Sequence, residues 1–338
     1  MSAVTPRSAP LRLATLRLGS RRSPMAIAQS RQVADMITER TGRAVEIVGV
    51  TTLGDVSRAQ LTQIGGTGVF VSALREALLG GQVDLAVHSL KDLPTGPAAG
   101  VTLAAVPPRD DPRDALIARD GAKLADLPPG ARIGTGSPRR AAQLRALRPD
   151  LLPVPVRGNA GTRLGRITSG EVDAVLLAYA GLARLGRLDA VTQVFEPDEM
   201  LPAPGQGALA VECHADNTDL AALLARLDDP VSHLATDAER GVLAALQAGC
   251  SAPIGAYAAP VAAPAGSPGA AGEGLAKLRL SAVVVSADGT VAVRACATGP
   301  AAEAARLGQR VADELRRGGA EKHMASTDGL FSRGDDDR

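Results

Sequence analysis

Short apolar runs alternate with stretches of helical periodicity from about residue 12 to 200. Runs at 13–18, 44–51, 83–88, 101–106, 132–134, 152–156 and 172–177 predict strands. Amphipathic stretches at 24–40, 69–79, 138–147 and 162–169 predict helices between them. This β-α-β alternation implies an α/β fold with a largely parallel, helix-flanked sheet. Ligands in such sheets collect at the carboxyl ends of strands, where helices begin.

Two proline-rich breaks divide the chain, Pro107-Pro108-Arg109-Asp110-Asp111-Pro112 and Leu201-Pro202-Ala203-Pro204-Gly205-Gln206-Gly207. Beyond the second, a strand is expected at 208–213, helices at 220–227 and 231–247, and another strand at 254–259. The Ala/Pro/Gly-rich stretch 260–274 reads as a surface loop. A hairpin from 278–285 and 291–297 and a helix over 301–316 complete the pattern. A polar tail from 319 to 338 reads as disordered. The two breaks subdivide the chain.

Composition narrows the function. The 338 residues carry 37 basic and 36 acidic side chains, a net charge of +1. That balance argues against a dedicated nucleic-acid binder, and with no Trp, two Tyr and three Phe there is little to stack bases on. No apolar run approaches the ~18 residues of a membrane span, and the N-terminus lacks a signal-peptide core. The cysteines, Cys213, Cys250 and Cys296, form no CxxC pair, which suits a reducing, cytoplasmic compartment. Four scattered histidines offer no zinc spacing. The glycine-rich stretch 65–70 lacks a P-loop ending and reads as a hinge-like loop.

The arginines carry the chemistry. In Gly134-Thr135-Gly136-Ser137-Pro138-Arg139-Arg140, Ser137 suits an N-cap and Pro138 the first helical position. Arg139 and Arg140 then oppose the positive end of the helix dipole, at about 0.3–1 kcal/mol each. Such a placement makes sense where an anion binds. The pattern recurs at Arg21-Arg22-Ser23-Pro24 and at Arg157-Gly158-Asn159-Ala160-Gly161-Thr162-Arg163. One such cluster would be an ordinary solvated charge pair. Three at strand-to-helix turns point to a ligand with several carboxylates or phosphates.

His88-Ser89-Leu90-Lys91-Asp92 closes a strong strand. Taken alone, Lys91 and Asp92 read as an exposed ion pair and His88 as a structural residue. A free cysteine is most often a small buried apolar residue, which is the expectation for Cys213 and Cys296. Cys250, between Gly249 and Ser251, instead lies at a turn that could present a nucleophile.

Together these motifs resemble the porphobilinogen deaminase family. RLGSRRSPMAIAQS, TTLGD, IGGTGVFVSALREALL, DLAVHSLKDLPT, DDPRDAL, GTGSPRRAAQL, VRGNAGTR, LPAPGQGALAVEC and AGCSAPIGAYA follow in the family's order over about residues 17–257. The resemblance implies a cytoplasmic, monomeric transferase that condenses four porphobilinogen molecules into hydroxymethylbilane with release of ammonia. It implies a dipyrromethane cofactor on Cys250 through a thioether, and Asp92 as the catalytic group. It assigns Lys91, Arg139, Arg140, Ser137, Thr135, Asp55 and Ser89 to the cofactor, and Arg21, Ser23, Gln29, Phe70, Arg157, Arg163 and Gln206 to the substrate, with His88 lining the same cleft. No metal, nucleic acid or membrane partner is implied. The implied fold has three domains: two α/β lobes joined by double crossovers, as in periplasmic binding proteins (12–107 with 208–225, and 112–201), and a smaller C-terminal α/β domain (230–318). Gln63 and Thr67 stand where the family often has lysines, and Gly136 where it often has Ser. A two-lobed anion-binding module is the alternative, and it leaves Asp92 and Cys250 without a role.

Overall fold

The computed structural model describes residues 15–50, 68–249, 252–261 and 275–324. Two compact units emerge. The first is drawn from Met1–His88, Ala98–Pro107 and Ala210–Asp228; the second from Ser89–Pro97, Pro108–Leu209 and Asp229–Arg338.

In the first unit, β1 (Leu16–Ser20) lies parallel to β2 (Val45–Gly49) and β3 (Leu85–Ser89). Strands β4 (Val101–Ala105) and β10 (Leu209–His214) are antiparallel and complete the order β2-β1-β3-β10-β4. Helix α1 (Pro24–Thr41) starts where Ser23 accepts from the Ala26 N–H and Pro24 supplies a preset φ. Its buried stripe of Gln29, Ser30, Val33, Ala34 and Ile37 has helical spacing. Helix α2 (Gly68–Leu79) contributes Val71, Leu74 and Leu78 to the interior.

The second unit repeats the strand order. β5 (Asp114–Ala118), β6 (Arg132–Gly134), β7 (Leu152–Val154), β8 (Ala174–Ala178) and β9 (Gln193–Val194) are arranged β7-β6-β8-β5-β9. β6 is parallel to both β7 and β8, while β5 runs antiparallel to β8 and β9. In the second sheet the antiparallel β5 separates β8 from β9; in the first, β10 lies between β3 and β4 and runs antiparallel to β4, so both sheets are mixed. Helices α3 (Pro138–Leu147), α4 (Ala160–Thr168) and α5 (Tyr179–Arg184) follow β6, β7 and β8.

The same unit holds a three-stranded antiparallel sheet, β11 (Ile254–Pro260), β12 (Lys277–Val285) and β13 (Ala292–Pro300). After α6 (Thr218–Leu224) of the first unit come α7 (Pro230–Ala245) and α8 (Ala304–Arg317), which cover that sheet's inner face. They approach so closely that a Cβ on Gly308 would lie 2.5 Å from the Ala238 carbonyl oxygen. Only glycine permits that crossing.

Several expectations change. Strand β5 and helix α5 were missed; β5 is short and buried at every position, a charged Asp114 followed by four apolar residues, and so lacks alternation. α4 begins at Ala160, earlier than expected, because Asn159 caps it by accepting from Thr162 N–H. Cys296, expected to be buried, is exposed on the edge strand β13. Cys213 is buried in β10, as expected.

Candidate active site

The second unit gathers most of the residues of interest. Asp114, the first residue of β5, is fully buried. Its Oδ2 accepts from Arg139 Nη1 at 2.6 Å, and its Oδ1 from Arg140 Nε at 2.9 Å and Gln206 Nε2 at 2.8 Å. Burial alone would raise this carboxyl's pKa; the two guanidiniums overcome that and hold it well below the usual carboxylate range. Arg139 also donates to the Leu201 carbonyl at 2.7 Å, and Arg140 to that of Leu176 at 3.2 Å. Ser137 caps α3 by accepting from Arg140 N–H, and its own N–H donates to buried Thr135 Oγ1 at 3.1 Å. The first turn of α3 carries no acidic residue. Its two cations are therefore matched by a single carboxylate, supplied from β5 rather than from the helix.

Gln206 joins this cluster to Lys91. Its Oε1 accepts from Lys91 Nζ and Arg140 Nη2, each at 3.3 Å, while its Nε2 also donates to the Pro112 carbonyl at 2.7 Å. Lys91 belongs to a single 3-10 turn, Leu90–Asp92, that follows Ser89. Leu90 and Leu93 are buried and seat the turn, Lys91 is half-buried, and Asp92 is exposed. Burial, with the nearby cations Arg140 and Arg139, lowers the Lys91 ammonium from 10.5 to about 8, against the pull of Asp92 and Asp114. Lys91 is thus engaged with Gln206 and is not a simple exposed partner of Asp92.

Two more arginines belong to this unit. Arg157 is exposed in the loop before α4. Arg163 donates from Nε to the Gly158 carbonyl at 2.9 Å; burial, and then the like charge of Arg140, weaken its hold on its proton. Three cations, Lys91, Arg139 and Arg140, surround one buried carboxylate, so the cluster keeps an excess of positive charge. Arg139 Nε is buried and has no hydrogen-bond partner among the described residues.

The first unit holds Arg21 at the end of β1, Ser23 at the α1 cap and buried Gln29. His88 is buried with Nε2 3.2 Å from Glu212 Oε2. Arg75 clamps the same carboxylate, Nε to Oε2 at 3.0 Å and Nη2 to Oε1 at 2.6 Å. Burial would raise Glu212; His88 and Arg75 bring it from 4.5 to about 2. Asp55, Gln63, Thr67 and Cys250 lie outside the described residues, and Phe70 is described only as a helical backbone position. Among the described residues, no group of His, Cys, Asp and Glu could hold a metal ion, and no helix is long and apolar enough to cross a membrane.

Sequence reasoning missed Asp114, Arg75, Glu212, Arg109 and Glu239. Asp114 and Glu212 fall inside matched segments, DDPRDAL and LPAPGQGALAVEC, yet nothing in those strings reveals a countercharge. Arg109 and Glu239 form a buried bidentate pair at 2.7 and 3.0 Å, and Glu239 also accepts from the Gly205 and Ala258 N–H groups. That pair ties both proline-rich crossings to α7 and β11.

A buried cationic cluster at the start of a helix, beside a turn that carries an exposed carboxylate, has the charge that an anionic ligand requires. The model of the family "Porphobilinogen deaminase, dipyromethane cofactor binding domain" matches residues 16–222. That of the "Porphobilinogen deaminase, C-terminal domain" matches residues 233–317. The chain is 58% identical over 317 residues to the porphobilinogen deaminase of Thermobifida fusca, covering 91% of this chain and 95% of that one. It is 55% identical to porphobilinogen deaminase 1 of Streptomyces coelicolor (90% and 96% covered) and 50% identical to the Mycobacterium marinum enzyme (91% and 96%). Among solved structures, the methionine-binding protein MetQ aligns with a TM-score of 0.42 at 10% identity, over 63% of this chain and 89% of its own. The chain belongs to the porphobilinogen deaminase family.

Proposed function

We propose that this enzyme condenses four porphobilinogen molecules head to tail into hydroxymethylbilane, with Asp92 as its acid/base group and Cys250 as the anchor of a dipyrromethane. The carrying observation is the Lys91–Gln206–Arg140–Asp114–Arg139 network, which contains more cations than anions and adjoins an exposed Asp92. Each pyrrole ring bears an acetate and a propionate, so a growing chain accumulates carboxylates. The unpartnered Arg139 Nε and the excess charge suit such a group, and the family model itself is that of a dipyrromethane-binding domain.

Lys91, Arg139, Arg140, Ser137, Thr135, Ser89 and Asp55 would hold the dipyrromethane. When bound, it supplies the pyrrole carbon on which the chain begins. Arg21, Ser23, Gln29, Phe70, Arg157, Arg163 and Gln206 would hold substrate, with the arginines taking its carboxylates. Asp92 donates a proton as the substrate C–N bond breaks and ammonia leaves. As a carboxylate it then steadies the positive charge on the pyrrole nitrogen, and after the new C–C bond forms it takes up the displaced ring proton. We also read the protein as a cytoplasmic monomer, with the three domains 12–107 with 208–225, 112–201 and 230–318. Both described cysteines are free, in keeping with a reducing compartment.

Asp92→Asn tests the assignment by rapid mixing with porphobilinogen and quantification of released ammonia. The expected loss is about 10²–10⁴-fold in turnover with substrate binding retained. Ammonia release near the wild-type rate would remove Asp92 from its role.

A further inference from the structure

Asp92 is exposed, so packing around its own side chain does not fix its carboxylate. Its position follows from the backbone of a three-residue 3-10 turn, a short element with weak hydrogen bonds of its own. Within the turn, Leu93 N–H donates to the Leu90 carbonyl at 3.2 Å. On one side the turn is seated by buried Leu90 and Leu93. The Leu90 carbonyl thus has one partner within the turn, while the Leu93 and Pro94 carbonyls lie past its end, where a helical turn leaves carbonyls without intrahelical partners.

Arg240 of α7 collects them. Its Nη1 donates to the Leu90 carbonyl at 3.1 Å and the Leu93 carbonyl at 2.9 Å, and its Nη2 to the Pro94 carbonyl at 2.7 Å. The planar guanidinium meets the three oxygens from two nitrogens held in one fixed fork, whereas a lysine offers a single nitrogen on a flexible stem. These oxygens precede and follow Asp92 in the chain, so the fork fixes the peptide planes on both sides of it. The adjacent residue, Glu239, anchors the helix by binding Arg109, Gly205 N–H and Ala258 N–H. The helix that carries the donor is thereby tied down at the adjacent residue. α7 ends at Ala245, shortly before Cys250 in the sequence.

We infer that Arg240 is a positioning residue for Asp92, setting its carboxylate through the backbone of the 90–94 turn from the helix that leads into the Cys250 segment. The inference rests on the proposed role of Asp92. It goes beyond that role by making the catalytic geometry depend on a side chain that touches no reacting atom. Small misplacements are costly in catalysis, with ~1 Å worth about 10²-fold. When the fork is removed, water can satisfy the exposed Pro94 carbonyl, while the part-buried Leu90 and Leu93 carbonyls lose a partner, a cost that the thermal midpoint reads separately from kcat.

The test compares Arg240→Met, Arg240→Lys and Asp92→Asn with wild type, each purified as holoenzyme. The readouts are kcat, KM, thermal midpoint, and cofactor content from intact mass. For Arg240→Met the expected result is a kcat about 10- to 100-fold lower, with KM within about threefold and cofactor content unchanged. Arg240→Lys, which keeps the charge but replaces the two-nitrogen fork with one nitrogen, should fall between Met and wild type. Wild-type kcat in Arg240→Met overturns the inference, as does a loss confined to KM or to cofactor content. If the Met variant does not fold, the Lys variant decides: full kcat there refutes the three-way fork. Asp92→Asn separates the two layers. If it turns over normally, the reading of Asp92 fails; if it is inactive while Arg240→Met is normal, only the positioning claim fails.

Discussion

Replacing Asp114 by Asn removes the single carboxylate between two buried guanidiniums while keeping the side chain's size. At an effective dielectric near 20, each contact of about 4 Å between unit charges is worth about 4 kcal/mol before desolvation. Asp114 makes two, to Arg139 at 2.6 Å and Arg140 at 2.8 Å. Much of that gain offsets the burial of three charges, so the pairs themselves contribute far less than their sum. Breaking them is another matter, because it strands two cations, and such losses run to about 3–5 kcal/mol. For a domain of this size that corresponds to a fall of about 10 °C in thermal midpoint, read by circular dichroism at pH 7. The effect should depend on pH in one direction. Asp114 is held below its ordinary range, so its contribution is complete above the unfolded value of 3.8 and is lost as pH falls toward the folded one. The gap between wild type and Asp114→Asn should therefore be widest at neutral pH and narrow below about pH 4. A variant within about 2 °C of wild type at pH 7 would refute the view that Asp114 compensates the two arginines.

Glu212 should dominate a different acid-dependent loss. Its fall from 4.5 to about 2 corresponds to about 3 kcal/mol, present above pH 4.5 and lost toward pH 2. Urea titrations should show Glu212→Gln less stable at pH 7, with a flatter acid slope than wild type; parallel slopes would count against it. Lys91, titrating at about 8, should lose its charge as pH rises past that point and with it part of its attraction for substrate carboxylates. kcat/KM should then decline above pH 8, and Lys91→Arg should carry that decline to higher pH; an unmoved limb would assign it to another group. Gly207 has φ of +88°, and a Cβ there would sit 2.4 Å from the Asp110 carbonyl oxygen. Gly207→Ala should lower the thermal midpoint by several degrees, at about 1–2 kcal/mol for the conformation plus the clash, and a neutral result would mean that the crossing can shift.

The alternation of apolar runs and amphipathic stretches was enough to reveal the α/β class, because strands such as β3 and helices such as α1 have caps, periods and prolines that act locally. It was not enough for β5, whose five residues are all buried, or for the insertion of β5 and β10 into sheets built from distant strands. The same division holds for the site. Arg139 and Arg140 were legible from a local conflict, cations at the start of a helix. Their partner Asp114 was not, since the pairing depends on β5 meeting α3 across a sheet. Lys91 looked like half of an exposed pair with Asp92 until Gln206, far along the chain, proved to accept from it. Cys296 was misjudged because it lies on the face of β13 opposite Val293, Ala295 and Ala297, which pack against the core, and composition does not reveal that face.

The central claim is that Cys250 carries the dipyrromethane on which product is built. Its most direct test is intact mass spectrometry of the purified, active protein under denaturing conditions. A thioether-linked adduct should survive denaturation, appear as added mass on the chain, map to the Cys250 peptide and vanish in Cys250→Ala together with activity. An active preparation whose mass equals that of the bare polypeptide would contradict the account.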